Sequence, residues 1–190
     1  VLFEEHKDPE LNHLTFFSAK YISGTSGTIK SKVDAVIKLL QPGDEVIAAS
    51  DMYGGTYRLF TKVFEKFGIK FIYVDTTYAN NIKAAVTANT KLIWIETPSN
   101  PSLKITDIQA VVKIAKAKNI MVACDNTWAT PFFTRPFEYG VDLIMHSTTK
   151  YFGGHSDILG GCVITPPQPS PIGRELIFAP LPIGEGSGVG

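Results

Sequence analysis

From residue 32 to residue 146 the chain alternates short, wholly apolar runs with longer stretches whose apolar positions recur every three or four residues. The short runs predict strands and the longer ones amphipathic helices. The pattern predicts a helix over 32–40, a strand over 45–49 after the Pro42-Gly43-Asp44 turn, a helix over 56–67 and, past Gly68, a strand over 70–74. A short helix over 81–86, a strand over 92–96, a helix over 105–118 and a strand over 121–124 follow, and an apolar run over 142–146 completes the series. The runs VIAA, FIYV, LIWI, MVAC and LIM have no polar face, as expected of strands in a parallel sheet covered by helices on both sides. The fold class is therefore α/β.

Ligands of such sheets gather at the carboxyl ends of the strands. Asp51 and Tyr53, Glu96 to Asn100, Asp125 to Thr127, and Ser147 to Lys150 each fall just past a predicted strand end, so these polar clusters should converge on one edge. The pattern breaks after residue 165, where Pro169-Ser170-Pro171-Ile172-Gly173 is echoed by Pro180-Leu181-Pro182-Ile183-Gly184. Dense proline and glycine do not sustain helix or sheet. The expected organisation is one large domain over 1–165 and a Pro/Gly-rich, low-complexity tail over 166–190.

At 190 residues and 44% hydrophobic, the chain can bury one sizeable core. Eighteen basic side chains balance eighteen acidic ones, so no net field draws it to nucleic acid or anionic lipid, and a small-molecule partner is expected. Cys124 and Cys162 sit in apolar, strand-like runs without metal-site spacing, which predicts reduced core thiols in a cytoplasmic protein and no metal. No run reaches the length of a membrane span, and the start does not resemble a signal peptide.

Lys150 closes the segment His146-Ser147-Thr148-Thr149-Lys150, immediately after an apolar run. A lysine so placed can lose the hydration of its ammonium and present the neutral amine that attacks an aldehyde, although a surface lysine opening a helix reads the same way. Asp125 ends another apolar run, where a carboxylate needs a cationic partner such as a protonated pyridine nitrogen; Asp125-Asn126-Thr127 also reads as a simple turn or cap. Ser147 and Thr149 offer hydroxyls to a phosphate or to nearby backbone. Tyr53, followed by Gly54-Gly55, can stack on a ring or pack in an ordinary turn. Asn100, between Pro98 and Pro101, can be presented to a ligand oxygen or belong to a plain rigid connection. A Schiff-base lysine, an acid, a ring cover and phosphate donors are what pyridoxal 5′-phosphate (PLP) chemistry requires.

With these residues assembled, the sequence resembles the transsulfuration (Cys/Met metabolism) family of fold-type I PLP enzymes, which includes cystathionine γ-lyase, γ-synthase and β-lyase and methionine γ-lyase. The resemblance runs from about Pro42 to Thr165 through PGDEV, YGGTYR, ETPSNP, DNT, HSTTKY and GGHSD, in the family's order. It implies a three-layer large domain with a mostly parallel sheet and a PLP cofactor. It further implies that Lys150 forms the Schiff base, Asp125 pairs with the pyridinium nitrogen, and Tyr53 stacks on the ring. Asn100 would lie near the ring's phenolic oxygen and the substrate carboxylate, and Ser147 and Thr149 would hold the phosphate. Family members also use the backbone of a Ser-Gly dipeptide at a helix start, for which Ser26-Gly27 is the candidate and Ser23-Gly24 its competitor.

The family's Tyr-x-Arg pattern, which reaches the phosphate of a neighbouring subunit, has no counterpart before Phe16, and the tail stands where the C-terminal small domain would begin. The expectation is a chain shortened at both ends, the small domain absent. The implied activity is elimination or replacement at Cγ of a sulfur amino acid, of cystathionine γ-lyase or γ-synthase type, in a homodimer or homotetramer. Lys150 would move the Cα proton and Tyr53 would assist as acid or base at the leaving sulfur. The alternative is a truncated, non-catalytic remnant that at most binds PLP or a partner subunit. A dinucleotide-binding domain is disfavoured, because no G-x-G-x-x-G joins a strand to a helix.

Overall fold

The computed structural model describes residues 37, 39–155, 157 and 159–165, together with the backbone of 14–18. Its strands are β1 (Leu14–Ser18), β2 (Glu45–Ala49), β3 (Lys70–Val74), β4 (Thr90–Glu96), β5 (Met121–Asp125), β6 (Leu143–Ser147) and β7 (Gly160–Ile164). Its α-helices are α1 (Gly54–Lys62), α2 (Ala79–Ala85), α3 (Ile108–Lys116) and the single turn α4 (Thr130–Phe133). The strands form one sheet in the order β1-β7-β6-β5-β4-β2-β3. β2 pairs in parallel with β3 and β4, β4 with β5, and β5 with β6; β7 runs antiparallel to both β6 and β1. The sheet is mostly parallel, as expected, and its antiparallel seam lies at the β6–β7–β1 side.

From β2 the chain goes outward to β3, then crosses back to lay β4 on the other side of β2. Connections diverge at such a reversal, and a crevice opens above the strand ends. Strand alternation assigns the two faces. Trp94, Ala123, Leu143 and Met145 pack with Phe60 of α1 and Phe64 of the following 3₁₀ turn. Ile93, Ile95, Val122, Cys124 and Ile144 pack with Ile82 of α2 and Ile108, Val111, Val112 and Ala115 of α3. The layers are thus helix, sheet, helix. Phe60 anchors the first interface: it is fully buried, stacks on Phe71 with ring centroids 4.3 Å apart and meets Trp94 edge-on at 5.2 Å.

Local chemistry explains where elements depart from the apolar pattern. The helix predicted over 105–118 begins at Ile108 because Asp107 caps it, its side chain accepting the Ala110 N–H at 3.0 Å. The helix predicted over 56–67 ends as α-helix at Lys62 and finishes as a 3₁₀ turn, closed by Gly68 at φ 82°. The predicted helix over 32–40 lies largely outside the described residues, as do the tail over 166–190 and both Ser-Gly dipeptides. β1 was not predicted, and GGCVIT reads as strand without revealing its antiparallel direction. Among the described residues no helix is long and apolar enough to cross a membrane.

Candidate active site

The carboxyl ends of β2, β4, β5 and β6, neighbours in the sheet, and the loops that leave them bring Tyr53, Asn100, Asp125 and the segment Ser147 to Lys150 to one edge. Asp125 and Ser147 are the last residues of β5 and β6, so they belong to the strands and not to the loops after them. The ladder sets Asp125 opposite Glu96 of β4 and Met145 of β6. Because side chains alternate, Glu96 shares a face with Trp94, Asp125 with Ala123 and Ser147 with Met145. Trp94, Ala123 and Met145 all belong to the core beneath α1. Tyr53 is the N-cap residue of α1, on that same side of the sheet.

Asp125 is 4% exposed. Its Oδ1 accepts the Thr127 backbone N–H at 3.1 Å and the Thr127 hydroxyl, whose oxygen in turn accepts the Ser147 N–H at 2.9 Å. The turn that Asp125-Asn126-Thr127 predicts therefore forms, and it orients the carboxylate. Thr127 is a site residue that the sequence reading passed over. The signal was the hydroxyl two residues after the aspartate, the spacing of an Asx turn.

Lys150 lies three residues past β6, its N–H donating to Ser147 O at 3.0 Å and its carbonyl accepting the Gly154 N–H at 2.7 Å. It is exposed, so the desolvation expected after a buried strand is not supplied by the described residues. The following loop is pinned by Phe152, which meets the buried His146 ring edge-on at 5.3 Å. The Thr149 hydroxyl accepts the Gly160 N–H at 3.0 Å and contacts the Gly160 carbonyl at 3.4 Å, so it serves backbone, one of the two uses its position allowed. A Cβ added at Gly160 would collide with the Thr148 hydroxyl, so the turn and β7 meet at a position where a larger residue would force Thr148 to shift.

Tyr53 is 38% exposed, and its backbone N–H donates to Glu96 Oε2 at 3.0 Å. Asn100 follows Ser99, whose hydroxyl donates to Asp51 Oδ2 at 2.6 Å and accepts the Lys104 N–H at 3.0 Å. Sequence reasoning had assigned no role to Glu96, Ser99 or Asp51. A charged residue ending the apolar run LIWI was the available signal for Glu96.

The Cys124 thiol is pushed up by burial and by the neighbouring Asp125 and Glu96 charges, which leaves it inert beside the site. Among the described residues no cluster of His, Cys, Asp or Glu is arranged to hold a metal ion. A cleft of about 540 Å³ lined by Thr97, Ile108, Trp128, Phe133 and Tyr151 opens on the α3 side and contains none of the candidate residues. The donor set under α1 suits a flat cationic ring bearing a phosphate. It offers one buried carboxylate held by Thr127, an aromatic side chain at the start of α1, hydroxyls at the end of β6 and a flexible amine beyond them.

Known proteins resemble this chain. A family model described as Cys/Met metabolism PLP-dependent enzyme matches residues 17–186. The chain is 52% identical to cystathionine beta-lyase of Coxiella burnetii, over 68% of this chain and 34% of that protein. It is 46% identical to cystathionine gamma-lyase of Bacillus subtilis, over 77% of this chain and 38% of that protein. It superposes on the crystal structure of metB from Corynebacterium glutamicum with a TM-score of 0.71 at 46% identity, covering 73% of this chain and 36% of that one. The chain thus spans little more than a third of the length of these relatives. With the sheet order, the edge that gathers the polar residues and a match over most of its length all in agreement, the chain belongs to the Cys/Met metabolism family of PLP-dependent enzymes.

Proposed function

We propose that this chain forms the cofactor-binding part of an enzyme that eliminates or replaces the γ-substituent of a sulfur amino acid, as cystathionine γ-lyases and γ-synthases do. The observation that carries the proposal is the alignment of Glu96, Asp125 and Ser147 on one face at adjacent strand ends, beneath the helix that begins at Tyr53. In this assignment Asp125 keeps the ring nitrogen protonated, Tyr53 covers the ring, and Asn100 orients the substrate carboxylate beside the phenolic oxygen. Ser147, Thr149 and the Ser26-Gly27 backbone hold the phosphate, and at Thr149 a phosphate oxygen competes with the Gly160 carbonyl for the hydroxyl proton.

When bound, PLP supplies an electron sink that makes the substrate Cα–H acidic. Lys150 Nζ would hold the cofactor and would serve as the base for the substrate Cα proton. Tyr53 Oη then exchanges a proton with the leaving sulfur. A homodimer or homotetramer in the cytoplasm fits these roles: the exposed Lys150 requires cover from another surface, and the two buried cysteines form no disulfide.

The test uses the intact protein purified with PLP. Visible absorbance of the bound cofactor is expected, disappearing in Lys150→Ala, and turnover of cystathionine should fall about 10²- to 10⁴-fold or more in that variant. Release of 2-oxobutanoate and cysteine identifies cleavage at Cγ; release of pyruvate and homocysteine would instead assign cleavage at Cβ. Cofactor absorbance that survives Lys150→Ala refutes the assignment.

A further inference from the structure

Two hydrogen bonds join the loop after β2 to the end of β4 and the loop that follows it: Tyr53 N–H to Oε2 of Glu96, the last residue of β4, at 3.0 Å and Ser99 Oγ to Asp51 Oδ2 at 2.6 Å. Glu96 and Ser99 are 5% and 3% exposed, and both bonds are part-buried. Each has a carboxylate acceptor, which makes it stronger than a neutral pair. The start of α1 explains why Glu96 is needed there. Tyr53 offers no side-chain cap, and the first turn of α1 contains no acid. The negative charge that favours a helix start is therefore delivered from a strand distant in sequence.

Glu96 also stands opposite Asp125 in the β4–β5 ladder. Tyr53 is thus tied to Glu96, Glu96 is fixed beside Asp125, and Asp125 is tied through Thr127 to Ser147. We propose that Glu96 and Ser99 are positioning residues: together they clamp the Tyr53 loop to the Asn100 loop and set the gap between the Tyr53 ring and the Asp125 carboxylate to the thickness and tilt of the cofactor. The inference rests on the assignment of Tyr53 as ring cover and Asp125 as ring partner. Neither positioning side chain needs to touch the cofactor.

The experiment compares Glu96→Ala, Glu96→Gln, Ser99→Ala and Asp51→Asn in the intact protein, reading PLP affinity and the circular dichroism induced in the bound cofactor. Glu96→Ala and Ser99→Ala are expected to weaken PLP binding about 5- to 30-fold and to alter the induced signal, the loss of one part-buried hydrogen bond with a carboxylate. Glu96→Gln and Asp51→Asn keep an acceptor oxygen, and should restore affinity to within about threefold of the parent. A purely structural role would lower the unfolding midpoint and leave the induced signal of the folded fraction unchanged; that result, or unchanged PLP affinity in Ser99→Ala, overturns the proposal. Ser99→Ala carries the test if Glu96→Ala does not fold. Lys150→Ala is measured alongside: visible absorbance retained there would overturn the cofactor assignment and the clamp with it, whereas absorbance lost there with parental behaviour in Ser99→Ala overturns the clamp alone.

Discussion

Asp142, next to β6, shows how a half-buried carboxyl can be held by a backbone bond. Its Oδ2 accepts the Val122 N–H at 2.8 Å, while burial raises its carboxyl above the ordinary range against the smaller opposing effects of that bond and of Lys116. A carboxyl raised in the folded state binds protons there more readily than in the unfolded chain, so it favours folding least once pH exceeds the folded value. Asp142→Asn keeps an acceptor for Val122 and removes the ionisation. The variant is expected to match the parent in acid and become the more stable of the two as pH climbs through the raised carboxyl range to neutrality, read as the difference in denaturant midpoints across pH. A parent that gained on the variant over that interval would show that the Lys116 attraction outweighs desolvation.

Between elements, the meeting of β7 with the Lys150 turn is the tightest fit near the site. Gly160→Ala places a methyl against the Thr148 hydroxyl and is expected to cost about 1–3 kcal/mol by denaturation, a typical penalty for overpacking. Because Thr148 lies two residues before Lys150, the same change should also shift the visible absorbance of bound PLP. The parallel elements were largely legible in the sequence. β2 and β3 begin and end where the runs EVIAA and KFIYV do; β2 is buried throughout, whereas β3, at the sheet edge, is only partly covered. Helix ends were less legible, because they follow capping by Asp107 and Gly68 and not hydrophobic period. β1 was illegible because its pairing partner is β7, and local pattern does not encode a contact across that separation. The convergence of Asp51, Glu96 to Asn100, Asp125 to Thr127 and Ser147 to Lys150 at one sheet edge was legible because each cluster follows an apolar run. The separate bonds of Glu96, Ser99 and Thr127 were not, because each is made to a neighbour's N–H or carboxylate and is visible only after the strands are aligned.

The whole molecule presents an uneven surface. On the α3 side Phe132 and Phe133 are 86% and 80% exposed, and Phe133 lines the same cleft as Ile105, Trp128, Tyr139 and Tyr151. Apolar area of this kind marks a surface that is covered in use. Phe133→Ser in the intact protein is expected to reduce binding of a hydrophobic fluorescent dye and weaken self-association in light scattering. PLP absorbance should stay unchanged, because the cleft is lined by none of the residues assigned to the cofactor.

β1 adds a condition on when the molecule can be completed. The strand at residues 14–18 hydrogen-bonds along its length to residues 160–164, so on the ribosome it leaves the exit tunnel long before its mate has been synthesised. The parallel strands β2 to β6 can pair in order of translation, each close in sequence to a neighbour, before β7 is made. The pairing of β1 with β7 is thus the slowest contact of the sheet to form, because it closes the longest loop among them.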